Sequence, residues 1–190
     1  VVELATVVMS PACAAIFADL GAEVVKVEPP NGDGWRATNA GYKGGDTFGC
    51  SFEMANRGKK SVVLDLKQGD HLAAFRQLLG QADVFITNTR LTALKRLKID
   101  YETIADDFPS LIYAHGTGFG TGGSWSDKPG YDIASFYAAT GMFDMFKSND
   151  EALRRRVCVF VNLRHTFREF SWMGNGIKCK IKCNLYGHLI

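Results

Sequence analysis

Residues 1–28, VVELATVVMSPACAAIFADLGAEVVKVE, decide the fold. Val1–Ala5 is a short apolar run and reads as a strand. Ser10 followed by Pro11 is a helix start, with serine as N-cap and proline at the first helical position. Ala12–Leu20 then reads as a helix, and Gly21 stops it. Glu23–Glu28 alternates with period two and reads as a second strand.

The same alternation continues down the chain. Pro29–Gly34 is a turn-rich break. Ser61–Leu66 is the next strand, and His71–Leu79 is a helix with Leu72, Phe75, Leu78 and Leu79 at helical spacing. Asp83–Thr87 is a strand, Thr92–Leu97 begins a helix, and Tyr101–Phe108 is helical up to Pro109. Leu111–Ala114 is a strand that runs into a glycine-rich loop. This order predicts an α/β fold, a mostly parallel sheet with helices on its faces. Its crossovers are expected to be right-handed, and its ligand to bind at the carboxyl ends of the strands.

The composition narrows the function. Of 190 residues, 46% are hydrophobic and 22% charged, ordinary values for a soluble globular domain. A net charge of +2 argues for neither nucleic acid nor an acidic membrane surface. No stretch approaches the roughly 18 apolar residues of a membrane span. The apolar start carries Glu3 and no basic flank, unlike a signal peptide. With no initiator Met, the chain is read as beginning inside a longer one. The cysteines number five and include no CxxC pair, which fits unpaired thiols in a reduced, cytoplasmic setting. Cys179 and Cys183, with His188 nearby, lack the spacing of a zinc ribbon, and no metal site is expected.

The character of the chain changes near residue 150. Residues 1–150 hold 14 basic and 18 acidic side chains, residues 151–190 hold 8 and 2. The second part shows no clean period of 3.6 or 2. The expected division is residues 1–146 as one folded portion and residues 147–190 as a divergent basic tail. A nucleic-acid-binding tail is one reading of the latter; a foreign or wrongly translated end is the preferred one.

Several motifs fall at strand ends. Gly118, Gly120 and Gly123 form a G-x-G-x-x-G, but no helix opens directly after it, and the acidic residue of a dinucleotide site is missing. With Gly122, these glycines read instead as a loop that lets backbone approach a substrate. Asn88-Thr89-Arg90, with Lys95 and Arg96 beyond, follows a strand and suits phosphate groups; a solvated helix face is the alternative. Arg57-Gly58-Lys59-Lys60 reads as a charged turn. Asp132 precedes an apolar helical stretch, as an N-cap or a catalytic acid. His115, at a strand end, reads as a packed or solvent-facing side chain.

Five stretches in order resemble the family III CoA-transferases, which include the formyl-CoA, carnitine and phenyllactate CoA-transferases and the α-methylacyl-CoA racemases. They are VVELATVVMSPACAAIFADLGAEVVKVEPPNGDGWR, NRGKKSVVLDLK, ADVFITNTRLTALKRLKIDYETI, LIYAHGTGFGTGG and DKPGYDIASFYAATG, spanning Val1 to about Phe146. The resemblance implies a Rossmann-like domain, incomplete here relative to the family, that binds coenzyme A. It also implies an interlocked homodimer. Asn88 and Arg96 match CoA-contacting positions of the family, Leu64 and Lys67 the segment near the adenine, and Thr6, Val7 and Val8 the loop beside the thioester. The implied reaction moves CoA from an acyl-CoA to a carboxylic acid through an aspartyl nucleophile.

Two departures qualify that expectation. Racemases resemble this chain at G-H-D, where Tyr131 stands here in G-Y-D, and a phenol with a pKa of about 10 is a poor base. The transferases are therefore favoured, and PGYD with the stretch RLTALKRLKIDYE looks most like the 2-hydroxyacyl and aryl-lactate CoA-transferases. The family's nucleophilic Asp lies in a G-D-x-x-x-G motif whose region falls near Val159–Thr166 here, and no Asp follows Asp150. Asp132 is the weak substitute. The expected alternatives are a non-catalytic CoA-binding module and a racemase-like enzyme.

Overall fold

The computed structural model describes residues 1–37 and 49–130, and the backbone of residues 171–174 and 177–180. Its parallel core is built from β1 (Val2–Leu4), β2 (Val25–Glu28), β3 (Lys60–Val63), β4 (Val84–Thr87) and β5 (Ile112–His115). The helices are α1 (Met9–Asp19), α2 (Cys50–Asn56), α3 (Gly69–Gly80), α4 (Leu91–Leu97) and α5 (Tyr101–Ile104), with a 3-10 turn at Gly34–Ala37. The strand order is β3-β2-β1-β4-β5, continued by the antiparallel β6 (Ser171–Gly174) and β7 (Ile177–Lys180). The expected mostly parallel α/β architecture is therefore present.

Strand alternation sorts the side chains onto two faces. Val2 pairs in register with Phe85, and Phe85 with Tyr113. This row, with Val27, is buried together with Phe75 and Leu79 of α3, Leu94 of α4 and Ile104 of α5. Phe85 meets Phe75 and Tyr113 edge-on at centroid distances of 5.7 and 5.1 Å, a favoured aromatic geometry. The opposite row brings Ile86 and Ala114 against Ala14 of α1.

The start of α1 differs from the sequence expectation. Val8, not Ser10, is the N-cap residue, and Ser10 lies buried in the first turn with its Oγ unpartnered. Pro11 is accommodated because the first helical N–H groups have no partner in the helix anyway. Gly21 does end the helix, at φ +92°. Tyr101–Phe108 is shorter than expected: the α-helix stops at Ile104, and turns carry the chain onward. The short α2 carried no sequence signal strong enough to predict it. Strands β6 and β7 fall where no periodicity was legible; their pairing with β5 and with each other defines them.

The α1 face of the sheet also holds charge. Glu3 and Lys26, register partners on β1 and β2, are buried, and Lys26 Nζ donates to Glu3 Oε1 at 2.8 Å and to the Ala5 carbonyl at 2.9 Å. The other carboxylate oxygen, Oε2, takes Lys59 Nζ at 2.6 Å. Lys59 also donates to the Pro11 and Ala55 carbonyls and to Asn56 Oδ1. Asp33 Oδ2 lies 3.0 Å from Lys26 Nζ. The cluster thus ties β1, β2, α1 and α2 together. In the expected basic turn, Lys59 is structural, while Arg57 pairs with Asp19 and Lys60 with Glu23.

Beside this cluster, Glu28 accepts from Arg36 Nε and Nη2, the Asp33 N–H and Ser61 Oγ at 2.6–2.9 Å. Burial alone would raise its pKa, but these hydrogen bonds outweigh burial and hold the carboxyl at about 2.

Two measurements probe these charges. Glu3→Ala leaves two buried ammonium groups without their shared carboxylate and is expected to cost about 3–5 kcal/mol in denaturant unfolding. Glu28 contributes stability that is full above its ordinary pKa of 4.5 and is lost as pH falls toward about 2. Glu28→Gln should therefore flatten the dependence of the unfolding midpoint on pH across that window.

Candidate functional site

The strand order reverses between β1 and β4: from β1 the chain builds outward to β2 and β3, then returns to add β4 and β5 on the other side. The loops that leave the carboxyl ends of β1 and β4 flank this switch point, where sheets of this architecture usually hold their ligand in a crevice. Thr6, Val7, Val8 and Asn88 all lie at this point.

Asn88 joins the two sides of the crevice. Its Oδ1 accepts the Thr6 N–H at 3.0 Å, and its Nδ2 donates to the Thr6 carbonyl at 2.8 Å. Val7 is the next residue, with φ +69°, a conformation sterically costly for a β-branched residue. Hydroxyls reinforce the junction: Thr87 Oγ1 donates to the Leu4 carbonyl at 2.7 Å and accepts the Thr89 N–H at 3.1 Å. From β5, His115 Nε2 donates to the Thr89 carbonyl at 2.8 Å, which fixes the proton on Nε2 in the neutral ring. Burial lowers the His115 pKa, against the opposing pull of that hydrogen bond. Thr87 is a site-shaping residue that sequence reasoning passed over, Thr89 was read for phosphate and His115 as a packed or solvent-facing side chain; the only available signal for this bonding was their position at strand ends.

Gly116 packs closely against the start of α1. A Cβ there would lie 2.5 Å from Met9 Cε and 2.8 Å from Ser10 Oγ. Gly118 and Gly130 touch backbone to backbone, and a Cβ on Gly118 would fall 2.5 Å from Gly130 Cα. That contact pinches the neck of the loop between them. Inside the loop, Phe119 packs edge-on against Trp125 at 5.4 Å, and Lys128 Nζ lies 4.2 Å from the Trp125 ring centroid. This is an Ω-loop packed on its own side chains. Gly120 has φ +82°, while Gly122 faces open space. No helix succeeds these glycines through residue 130, in keeping with rejection of a dinucleotide fingerprint.

The remaining predicted residues are not drawn into the crevice by any contact of their own. Leu64 extends the β3 ladder through its N–H to the Glu28 carbonyl at 2.9 Å and packs on the core. Lys67 is exposed just beyond it. Arg96 lies in the last turn of α4, also exposed. Arg90, Lys95, Arg96 and Lys67 have no ion-pair partner among the described residues, so their charges are available to an anion. Asp132 and Tyr131 lie outside the described residues. Cys13 is no nucleophile: burial, then Glu3, pushes its thiol up to about 11. Among the described residues, no cluster of His, Cys, Asp and Glu is placed to hold a metal, and no helix is long and apolar enough to cross a membrane.

Comparison with known proteins adds a family. The model of CoA-transferase family III matches residues 1–160. The chain is 38% identical to (R)-2-hydroxy-4-methylpentanoate CoA-transferase of Clostridioides difficile, over 75% of this chain and 36% of that protein. It is 34% identical to α-methylacyl-CoA racemase of Mus musculus, over 80% of this chain and 35% of that protein. The crystal structure of a CAIB/BAIF family protein from Brucella suis superposes with a TM-score of 0.72 at 32% identity, covering 85% of this chain and 43% of that one. The chain thus spans about a third of the length of the curated relatives it matches.

The pinched loop neck is open to test. Gly118→Ala has no room against Gly130 and should release the loop, seen as faster chymotryptic cleavage after Phe119 and Trp125. Gly122→Ala, where nothing lies within 4 Å, should leave the cleavage rate unchanged.

Proposed function

Because the chain belongs to CoA-transferase family III, we propose that it supplies the CoA-binding portion of an enzyme that moves CoA between an acyl-CoA and a carboxylic acid. The observation that carries this reading is the junction of Thr6 and Asn88 across the mouth of the β1/β4 crevice. A Rossmann-like sheet binds its ligand there, and the exposed Lys67, Arg90, Lys95 and Arg96 supply cationic charge for the phosphates of CoA. In this reading Leu64 and Lys67 border the adenine, Arg96 meets a phosphate, and Thr6–Val8 run beside the thioester. The loop of Gly118, Gly120 and Gly122 approaches the acyl group and excludes water from it.

The chemistry requires a nucleophile that this chain does not offer in the family's place. An aspartate would attack the thioester carbonyl and expel CoA thiolate, which then attacks the resulting anhydride at the aspartyl carbonyl. The first acid leaves, and an incoming carboxylate reverses the sequence to emerge as the new acyl-CoA. No Asp follows Asp150, so in this reading the chain's own part is to bind CoA, with Asp132 the weak substitute nucleophile. In this proposal the chain diverges from the family within residues 147–190, the family match itself running to residue 160. The intact enzyme is a cytoplasmic homodimer acting on a 2-hydroxy acid, the substrate class named for the C. difficile relative. The racemase reading is the weaker one, since Tyr131 stands where the racemase base would be.

Calorimetric titration tests the binding claim directly. CoA is expected to bind saturably and NADH not at all, while Arg96→Ala weakens CoA by about tenfold, a difference of about 1.4 kcal/mol. NADH binding without CoA binding overturns the proposal. Translating the coding DNA beyond codon 146 in the other frames tests the tail: a G-D-x-x-x-G near codon 162 marks the present end as artefact. Its absence leaves a binding module.

A further inference from the structure

Among the described residues only Val7 and Lys98 hold a positive φ without being glycine. Lys98 caps the C-terminus of α4 in the left-handed conformation, a common helix ending. Val7 has no such role. It is β-branched, sits at φ +69°, and occupies the mouth of the crevice. Strain of this kind persists only where the surroundings over-determine it, and it gathers at functional sites.

The surroundings do over-determine it. The torsion φ of Val7 relates the plane of the Thr6–Val7 peptide to the chain beyond. Asn88 Nδ2 fixes the carbonyl of that peptide, and Asn88 Oδ1 fixes the N–H of Thr6 on the other side. On the far side, the Val8 carbonyl is already held by the Ala12 N–H at 2.8 Å as α1 begins. Asn88 itself is anchored between Thr87, bonded to the Leu4 carbonyl, and Thr89, whose carbonyl is held by His115. Three strand ends converge to hold one residue in an unfavourable shape.

We propose that Asn88 is a positioning residue: it holds Val7 in its strained conformation, and this fixes the shape of the loop against which the thioester end of CoA lies. The inference rests on the CoA-binding reading above, and it assigns Asn88 a task other than direct contact with the ligand. One donor and one acceptor of the Asn88 amide are committed to Thr6, leaving one hydrogen and one lone pair. Through the Thr6 pair its influence on CoA passes by way of the loop.

A double-mutant cycle in the full 190-residue chain tests this. Val7→Gly, Asn88→Ala and the double variant are compared with the parent by thermal unfolding and by calorimetric titration with CoA. Glycine adopts a positive φ freely, so Val7→Gly should raise the midpoint by about 2–4 °C while weakening CoA by about tenfold. A role in stability alone would not move the two readouts in opposite directions. Asn88→Ala should lower the midpoint, by less in the Val7→Gly background, and should add little further loss of affinity there. Should Asn88→Ala fail to fold, Asn88→Asp serves: it keeps the acceptor for the Thr6 N–H and loses the donor to the Thr6 carbonyl. Unchanged CoA affinity in Val7→Gly, or affinity losses that multiply independently, would overturn the proposal and make Asn88 a direct contact. If the parent binds no CoA, the functional reading fails, yet non-additive midpoints still establish the clamp and additive ones refute it.

Discussion

Glu3 places a carboxylate, wholly enclosed by protein, between the ammonium groups of Lys26 and Lys59. Burying such charges is costly unless each polar atom finds a partner, and here almost every one does. Lys59 alone donates toward a carboxylate, two carbonyls and an amide oxygen. Burial still pulls its pKa down, with Glu3 resisting. The arrangement is demanding because its parts come from β1, β2, α1, α2 and the turn containing Asp33. Shifting any of those elements would break bonds to buried charges, which is strongly destabilising.

That geometry fixes the carboxyl end of β1, and the crevice depends on it. Lys26 grips the Ala5 carbonyl, one residue before the Asn88 junction begins at Thr6. Glu28 and Arg36 fold the next loop back onto the end of β2, with the Arg36 guanidinium 4.0 Å from the Phe52 ring centroid. The loop mouths are thus anchored from below by charge and from the side by the Thr87, Asn88, Thr89 and His115 bonds. Anchoring of this kind spares any ligand bound there the entropy of ordering those loops.

The sequence made the parallel sheet legible because its strands are short and its helical periods clear. EVVKVE, SVVLDL and DVFIT each appear as strands, and Gly21 stops α1 as expected. What it concealed was the use of polar residues. Glu3 fell within a stretch read as an apolar run and Lys26 within an alternating strand, and nothing local says that they pair in register inside the protein. Lys59 looked like one member of a charged turn. Ser10-Pro11 looked like an N-cap pair, yet the helix begins earlier, where Val7 reverses the chain at a positive φ that no propensity scale would assign to valine. Asn88 was singled out by its family position; its partner Thr6 was singled out separately, and only folding brings them into contact. Local patterns carry element type, whereas these pairings depend on register and crossover.

The Thr6–Asn88 junction, its anchors and the exposed cations lie within residues 1–130, and β5 continues the sheet into β6 beyond them. Transferases and a racemase are both similar to this chain over that region. Both names contain CoA, and the reactions that they name differ. Similarity over this region consequently argues for the ligand more strongly than for the reaction.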